Sequence, residues 1–133
     1  MCKCYADNVV FEDPAFGQLM GERAKNMWRM LAKSQKGKDF QVIFDQVSDH
    51  SAHWEAKYTF SRTGRKVHNI IDAEFEIENG KIVKHTDHFD LHRWAKQAMG
   101  FKGMLLGGTK FFQKKLHAQT NGLLDEFESG AQN

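Results

Sequence analysis

The chain has 133 residues, a length that suits a single domain able to bury a core without disulfide bonds. Its 19 basic and 17 acidic side chains leave a formal charge of +2, and the basic ones are scattered, so the charge does not suggest a nucleic-acid partner. The two cysteines, Cys2 and Cys4, are too close for an ordinary disulfide and too few for a structural zinc site, which favours a cytoplasmic protein. The sequence contains neither a signal peptide nor an apolar run that could span a bilayer, so no membrane partner is expected.

The spacing of apolar residues predicts the elements in chain order. They are a strand over 9–13, a loop over 15–21, a helix over 22–33, strands over about 40–47, 52–61 and 67–77, a further strand within 79–91, a helix from 91, a glycine-rich apolar loop over 100–108, and a last helix that is capped by Thr109 and reaches about 127. Long paired strands with helices before and after them favour an α+β fold, in which a curved and mostly antiparallel sheet wraps around helices.

The turn at Asn79-Gly80 decides which side chains of the last hairpin share a face. A two-residue turn would pair Glu78 with Lys81 and put acidic side chains on the apolar face. A three-residue loop pairs Ile77 with Lys81 instead, and we expect burial to select this register because a one-residue slip moves every side chain to the other face.

This register predicts specific neighbours on both faces. They are Phe75–Val83, Ala73–His85, Ile71–Asp87 and Asn69–Phe89 in the hairpin, Tyr58–Asn69, Ala56–Ile71 and Trp54–Ala73 across the preceding strands, and Glu74–Lys84 and His68–Asp90 on the outer face. Asp87 should therefore lie in an apolar wall, with the small Ala56 leaving room in front of it.

Asp87 and His85 stand on the apolar face of the last strand, between Val83 and Phe89. A carboxylate in an apolar wall is poorly solvated, tends to keep its proton, and can act as an acid or base near neutral pH. A structural carboxylate that is hydrogen-bonded to a nearby helix end is the alternative. No metal site is expected, because His88 points to the face opposite His85 and cannot join it on one ion.

Four motifs occur in a characteristic order: Tyr-Ala-Asp-Asn-Val-Val-Phe-Glu-Asp-Pro over 5–14, Gly21, Asn-Gly-Lys-Ile over 79–82, and Asp-His-Phe-Asp-Leu over 87–91. Together they resemble the nuclear transport factor 2-like superfamily, most closely its SnoaL-like branch with polyketide cyclases, limonene-epoxide hydrolases and ketosteroid isomerases. The resemblance implies a cone of curved sheet and helices around a deep, mostly apolar pocket, often in a homodimer. We expect one domain over 1–133, with its core over 5–95 and a helical extension over 96–127.

The family motifs suggest roles for individual residues. Asp13 stands where ketosteroid isomerases carry their general base, and Asp87 stands where limonene-epoxide hydrolases carry a catalytic aspartate. Those hydrolases also use an arginine and a second aspartate on the strand that here carries Trp54, Ala56 and Tyr58, so epoxide hydrolysis by that triad is not expected.

The resemblance also shows what this sequence lacks. Asp72 aligns near an oxyanion-stabilising aspartate of the isomerases, but the register puts it on the outer face. Family members usually have a helix before the Tyr-Ala-Asp motif, and this first helix is missing here. Two explanations stay open: a truncated N-terminus, or a C-terminal segment from Trp94 to Phe127 that covers what the helix normally covers.

Residues and resemblance together predict a small-molecule-binding protein that performs acid–base chemistry without metal or cofactor. The expected activity is that of an isomerase, cyclase or hydrolase, and the resemblance implies an apolar, oxygen-bearing substrate of polyketide, terpenoid or steroid type. A non-catalytic ligand-binding or dimerisation module is the competing hypothesis. Asp87 is the first candidate for proton transfer and Asp13 the second, with His85 assisting. The expected substrate-binding residues are Tyr58, Trp54, Asn69, Phe11, Ile71 and Phe89.

The outer face of the sheet is polar except for Ile70 and Ile82, and two such faces can pack about a two-fold axis, which predicts a homodimer. The apolar 101–106 loop could add to this contact or act as a lid over the pocket. Three lysines lie on the polar side of the last helix, where a solvated face is expected and membrane-surface binding is the alternative. They are Lys110, Lys114 and Lys115.

Overall fold

The computed structural model of the protein describes residues 2–48, 50–60 and 62–131. After a 3-10 turn at Cys2–Cys4, the elements in chain order are β1 (Tyr5–Asp13), β2 (Gly17–Met20), α1 (Glu22–Gln35), β3 (Gln41–Asp45), β4 (Ser51–Phe60), β5 (Arg65–Glu78), β6 (Lys81–His88), α2 (Leu91–Met99), α3 (Phe101–Leu106) and α4 (Lys110–Ala131). The α+β class is confirmed. No helix in the described ranges is both long and apolar enough to cross a bilayer.

The strands form one six-stranded open sheet in the order β2-β1-β6-β5-β4-β3. Among the strands of the described residues, only the β1–β6 pair is parallel, which confirms the mostly antiparallel sheet. α1 packs on β1 and β2, α2 packs on β5, and α4 packs on α1. We call the face that these helices cover the inner face and the opposite one the outer face.

Two segments predicted as loops are regular structure. Residues 15–21 contain β2, because the chain reverses tightly at Asp13, whose Oδ1 accepts the N–H groups of Ala15 (3.0 Å) and Phe16 (2.6 Å). This side-chain turn was not recognised in the sequence. Residues 100–108 contain α3, whereas the glycines in this segment had favoured a loop. The predicted strand end at Ser61 lies outside the described residues.

The register prediction for the last hairpin was wrong in its turn and right in its faces only from Lys84 onward. Asn79 (φ 51°) and Gly80 (φ 76°) form a two-residue turn that pairs Glu78 with Lys81. The register then shifts at a bulge near Val83, so that His85 pairs with Phe75 and Asp87 with Ala73. The bulge restores the apolar face that the turn alone would have lost.

Other predicted neighbours are also displaced by two residues or replaced. Trp54 pairs with Ile71, Ala56 with Asn69, and Tyr58 with Val67. On the outer face, Glu74 pairs with Thr86 instead of Lys84. Asp90 does not meet His68, because its side chain accepts the Arg93 N–H (3.1 Å) and caps α2.

The core consists of two apolar clusters on the inner face. The first core cluster contains Tyr5, Val9, Phe11, Phe16, Leu19, Ala24, Met27 and Leu124, and the second contains Val67, Trp94, Ala95, Ala98 and Leu116. α4 contributes to both, Leu124 to the first and Leu116 to the second. The C-terminal helix therefore covers the inner side of the fold along much of its length.

Candidate functional site

A strip of the inner face lies between the two core clusters. Its side chains are buried, but they belong to neither cluster. We call this the inner strip: Ala52, Ala56, Asn69, Ile71, Ala73 and Asp87. Three of its members are alanines, whose side chains are single methyl groups.

Asp87 is the acidic group of the strip and is held by His85. Asp87 Oδ1 lies 2.7 Å from His85 Nε2, and both residues are almost completely buried. Ala73 and then Ala52 lie beside Asp87 across the sheet, so these alanines take the place predicted for Ala56.

The hydrogen-bond chain continues from His85 into the protein. His85 Nδ1 lies 2.6 Å from the hydroxyl oxygen of Tyr5, and the Trp28 indole N–H donates to the same oxygen at 2.8 Å. Because Trp28 only donates, the simplest complete assignment has Tyr5 donating to Nδ1 and His85 donating from Nε2 to Asp87. In this assignment the imidazole is neutral.

Aromatic rings fix the orientation of the His85 imidazole. The Phe75 and Phe11 ring centroids lie 4.7 and 5.1 Å away, and the Trp28 ring stacks on it at 6.0 Å with an interplanar angle of 9°. With both nitrogens bonded and the ring packed, His85 aims a single N–H at Asp87.

Asp13 is brought next to Asp87 by the parallel pairing of β1 and β6. Phe11 pairs with His85 and Glu12 with Thr86, so Asp13 follows beside Asp87 on the same face. Burial raises the pKa of Asp13 to about 7; the Phe16 and Ala15 N–H groups oppose this rise, and the negative charge of Asp87 adds to it. Asp13, His85 and Asp87 thus form one group.

Two polar side chains of the inner strip keep unused hydrogen-bonding atoms. Within the described residues, neither the Asn69 side chain nor Asp87 Oδ2 takes part in a hydrogen bond, whereas Asp87 Oδ1 is bonded to His85. Among the described residues, Gln35 Oε1 is the side-chain atom that is fully enclosed and has no hydrogen-bond partner. Asn69 and Asp87 Oδ2 are therefore not fully enclosed, although both residues are buried.

The remaining predicted binding residues divide between two walls. Trp54 packs between Trp28 (centroids 6.4 Å apart) and Phe44 (6.3 Å), on the side of the first core cluster. Tyr58 and Phe89 pack on the second core cluster, where the Tyr58 hydroxyl accepts the Trp94 indole N–H at 2.8 Å. Burial raises the pKa of Tyr58, so its phenol stays protonated. Of the other predicted residues, Phe11 contacts His85 and Ile71 lies in the strip.

Sequence reasoning missed Tyr5 and Trp28. Tyr5 has the same parity as Val9, Phe11 and Asp13, so extending the alternation towards the N-terminus would have placed it on the inner face. Trp28 lies on the apolar stripe of the predicted helix over 22–33, a position that indicates packing but no hydrogen-bond partner. Its indole N–H bond to Tyr5 depends on how α1 packs on the sheet, which the sequence pattern does not encode.

Open cavities lie elsewhere on the surface. One of about 640 Å³ is lined by the back of Tyr5 together with Cys2, Lys25 and Lys81, and one of about 290 Å³ lies near His50 and Glu74. Neither is lined by Asp13, His85 or Asp87. Within the described ranges, no three His, Cys, Asp or Glu side chains are arranged to hold a metal ion, and His88 faces away from His85 and bonds Glu74 at 3.1 Å.

The sequence model of the SnoaL-like domain matches residues 1–85. The chain belongs to the SnoaL-like family. The matched range includes Asp13 and His85 and ends two residues before Asp87. Comparison with curated proteins finds no sequence match.

Solved structures with the nuclear transport factor 2-like fold resemble this SnoaL-like chain. A hypothetical protein from Catenulispora acidiphila with a ketosteroid isomerase-like fold, solved in complex with trimethylamine, has 14% identity and a TM-score of 0.56 over 72% of this chain and 77% of its own. Bal32a, from a soil-derived mobile gene cassette, has 19% identity and 0.57 over 72% and 79%. A Burkholderia pseudomallei protein of unknown function has 16% identity and 0.58 over 73% and 81%. At these identities the likeness establishes the fold and leaves the chemistry to the residues of this chain.

Proposed function

We propose that this SnoaL-like protein is an enzyme that moves protons on an apolar, oxygen-bearing small molecule bound over the inner strip. The observation that carries the proposal is the pairing of two inner-face carboxyl groups, Asp13 and Asp87, with a buried histidine bonded to one of them. Pairs of acids in different environments are the usual way for one site to supply both an acid and a base.

The two carboxyl groups suit different roles. With a pKa of about 7, Asp13 carries a proton for a large part of the time at neutral pH and can donate it to a substrate oxygen. Asp87 has one oxygen fixed by His85 and the other free to accept a proton from a carbon next to a carbonyl group. The two transfers together give an enol. Return of the proton from Asp87 to a different carbon, with Asp13 recovering its own proton, would complete an isomerisation. Attack of the enol carbon on a second carbonyl carbon of the substrate, whose oxygen takes the proton from Asp87 while Asp13 recovers its own, would complete an aldol-type cyclisation.

The surroundings of the pair support an apolar substrate. Trp54 and Ile71 supply apolar walls, Phe11 packs behind them against His85, and Asn69 and the Tyr58 hydroxyl can hydrogen-bond to substrate oxygens. A neighbour of the same fold solved with trimethylamine supports small-molecule binding as a use of this fold. We infer a polyketide-, terpenoid- or steroid-like ligand and a reaction that needs neither metal nor cofactor.

The decisive experiment is Asp87→Asn in an assay against a substrate found by screening ketones, enones and lactones. We expect the rate to fall on the order of 10²–10⁴-fold, because the amide cannot take the proton. Asp72→Asn is the matched control, since it removes a carboxylate from the outer face of the same sheet. An unchanged rate in Asp87→Asn would remove Asp87 from the mechanism.

The second candidate function is a binding module without turnover. Its support is that both carboxyl groups also make structural bonds, Asp13 to the turn after β1 and Asp87 to His85. A ligand that binds wild type and Asp87→Asn equally well, with no product formed by either, would favour this function.

We also propose a homodimer through the outer face of the sheet. Ile70 and Ile43 are exposed there among polar side chains. Ile82, predicted on this face, instead packs on the first core cluster, because the bulge near Val83 reverses the side-chain direction before it. Ile43 of β3 takes its place as the second apolar residue.

A further inference from the structure

The charge of the chain is divided unevenly. Residues 91–124 contain no Asp or Glu and six basic side chains: Arg93, Lys96, Lys102, Lys110, Lys114 and Lys115. Taking these six from the total of 19 leaves 13 basic against 17 acidic side chains elsewhere, so the formal charge is +6 in this segment and −4 in the rest. The segment consists of α2, α3 and most of α4.

α3 packs with its glycines inward and its large side chains outward. Gly103 and Gly107 are buried against α2, and a Cβ on Gly103 would lie only 1.9 Å from the Ala95 carbonyl oxygen. Only glycine allows this approach, so the contact between the helices uses the glycine side of α3. The remaining apolar side chains are left exposed: Phe101 (70%), Leu105 (60%), Leu106 (49%) and Met104 (44%).

The first turns of α4, which follow α3 closely in the chain, add further exposed apolar and basic side chains. Phe111 is 67% exposed, and the Lys115 ammonium lies 5.5 Å from its ring centroid. On the other side of the helix, Phe112 and Leu116 pack in the second core cluster. Lys110 and Lys114 are one turn apart on the exposed side. We call the whole surface the α3–α4 patch: Phe101, Lys102, Met104, Leu105, Leu106, Lys110, Phe111, Lys114 and Lys115.

We propose that the α3–α4 patch binds the surface of an anionic phospholipid bilayer, with its apolar side chains inserted at the level of the headgroups and its lysines paired with lipid phosphates. An exposed apolar surface of this kind marks an interaction site. Aromatic and leucine side chains flanked by lysines, with acidic groups excluded, form the combination that favours a negatively charged lipid interface. The sequence pattern favoured a solvated face for these lysines, and the outward apolar face of α3 changes that interpretation.

A second copy of the chain is a less suitable binding partner for the α3–α4 patch. In a two-fold contact the patch would meet itself, and its lysines would face lysines without an acidic partner in the segment. A contact with the more acidic remainder of another copy would be head-to-tail and would form an open chain of molecules rather than a closed dimer.

The test is co-sedimentation of the full chain with phosphatidylcholine vesicles and with vesicles of equal parts phosphatidylcholine and phosphatidylglycerol. We expect binding to the mixed vesicles only, with affinity that falls as salt is added. Lys114→Glu/Lys115→Glu should weaken binding roughly 25-fold or more, at about fivefold per lysine removed. Phe101→Ser/Leu105→Ser keeps the charge and should also weaken binding. Lys57→Glu/Lys84→Glu, the same charge change on the sheet, is the control and should bind nearly as well as wild type.

Three results would overturn the proposal. The first is failure of the wild type to bind the mixed vesicles, and the second is an equal loss of vesicle affinity in the control and in Lys114→Glu/Lys115→Glu. The third is a wild-type oligomer that Phe101→Ser/Leu105→Ser converts to a monomer without changing vesicle binding. Circular dichroism establishes that each variant is folded before it is scored.

Discussion

The two faces of the sheet carry the same chemical pair, histidine with a carboxylate, in opposite environments. On the inner face, His85 and Asp87 are 2.7 Å apart and their side chains are 1% and 4% exposed. On the outer face, His88 and Glu74 are 3.1 Å apart with side chains 59% and 72% exposed. His53 lies between Asp72 and Glu55 on that face, and its pKa is raised by hydrogen bonds to Asp72 and then to Glu55.

The difference shows what burial demands of a polar pair. Water solvates the outer pairs whether or not the partners meet, so each contact contributes little to stability. The inner pair has lost its water, and hydrogen bonds from the protein must replace it. Tyr5 and Trp28 continue the chain of bonds behind His85. The inner carboxylate is thus held by a connected network, whereas the outer ones are held by single contacts in water.

The largest expected effect is a difference in the free energy of unfolding between variants of the inner and the outer histidine. His85→Ala leaves Asp87 buried without its partner and should lower the free energy of unfolding by about 3–5 kcal/mol. The matched variant His88→Ala should change it by less than about 0.5 kcal/mol. Urea unfolding followed by fluorescence measures both, and equal losses would contradict the contrast between the faces.

The second prediction concerns pH and Asp13. Because its pKa is about 7 in the folded protein against an ordinary value of 3.8, the folded state holds the proton more tightly than the unfolded state. Its contribution to stability is therefore full below pH 3.8 and is lost as the pH rises to about 7. Asp13→Asn cannot ionise, and its side-chain oxygen can still accept the Ala15 and Phe16 N–H groups.

We expect the stability of Asp13→Asn relative to wild type to improve by roughly 1–2 kcal/mol between acidic and mildly alkaline pH. The full pKa shift corresponds to about 4 kcal/mol, and the remaining contact of Asp13 with solvent reduces it. Urea unfolding of both proteins across this range gives the difference. A constant difference, or an equal change in the outer-face control Asp72→Asn, would contradict a buried, shifted Asp13.

The smallest effect concerns the outer face on its own. If two outer faces pack as a homodimer, sedimentation at micromolar concentration should give roughly twice the 15.3 kDa chain mass. Ile70→Lys should then reduce the dimer fraction, because it replaces an apolar contact with a charge on each of the two facing surfaces. A wild-type monomer would contradict the dimer. The outer-face histidine–carboxylate pairs would then remain in water, and their difference from the buried inner pair would be greatest.

The fold and the central group of the site could be read from the sequence in good part. The α+β class, the helix over 22–33, the strands and the inner-face positions of Asp13, His85 and Asp87 followed from periodicity and from the family motifs. The exact neighbours could not be read, because Asn79-Gly80 makes a two-residue turn and a bulge near Val83 then corrects the faces. Either turn satisfies the same alternation once a bulge is allowed.

The sequence by itself determined which side chains face inward along most of the sheet, because strand side chains alternate with a period of two and a displacement by two residues leaves the face unchanged. It failed at Ile82, where the bulge reverses the alternation. Tertiary structure alone decided which residues meet. The Tyr5–His85 bond joins positions 80 residues apart, and the inner strip lies outside both core clusters because α1 and α4 contribute to one cluster while α2 and α4 contribute to the other. Such contacts depend on how helices dock on a sheet, and this docking is set by the fit of many side chains at once rather than by any local pattern.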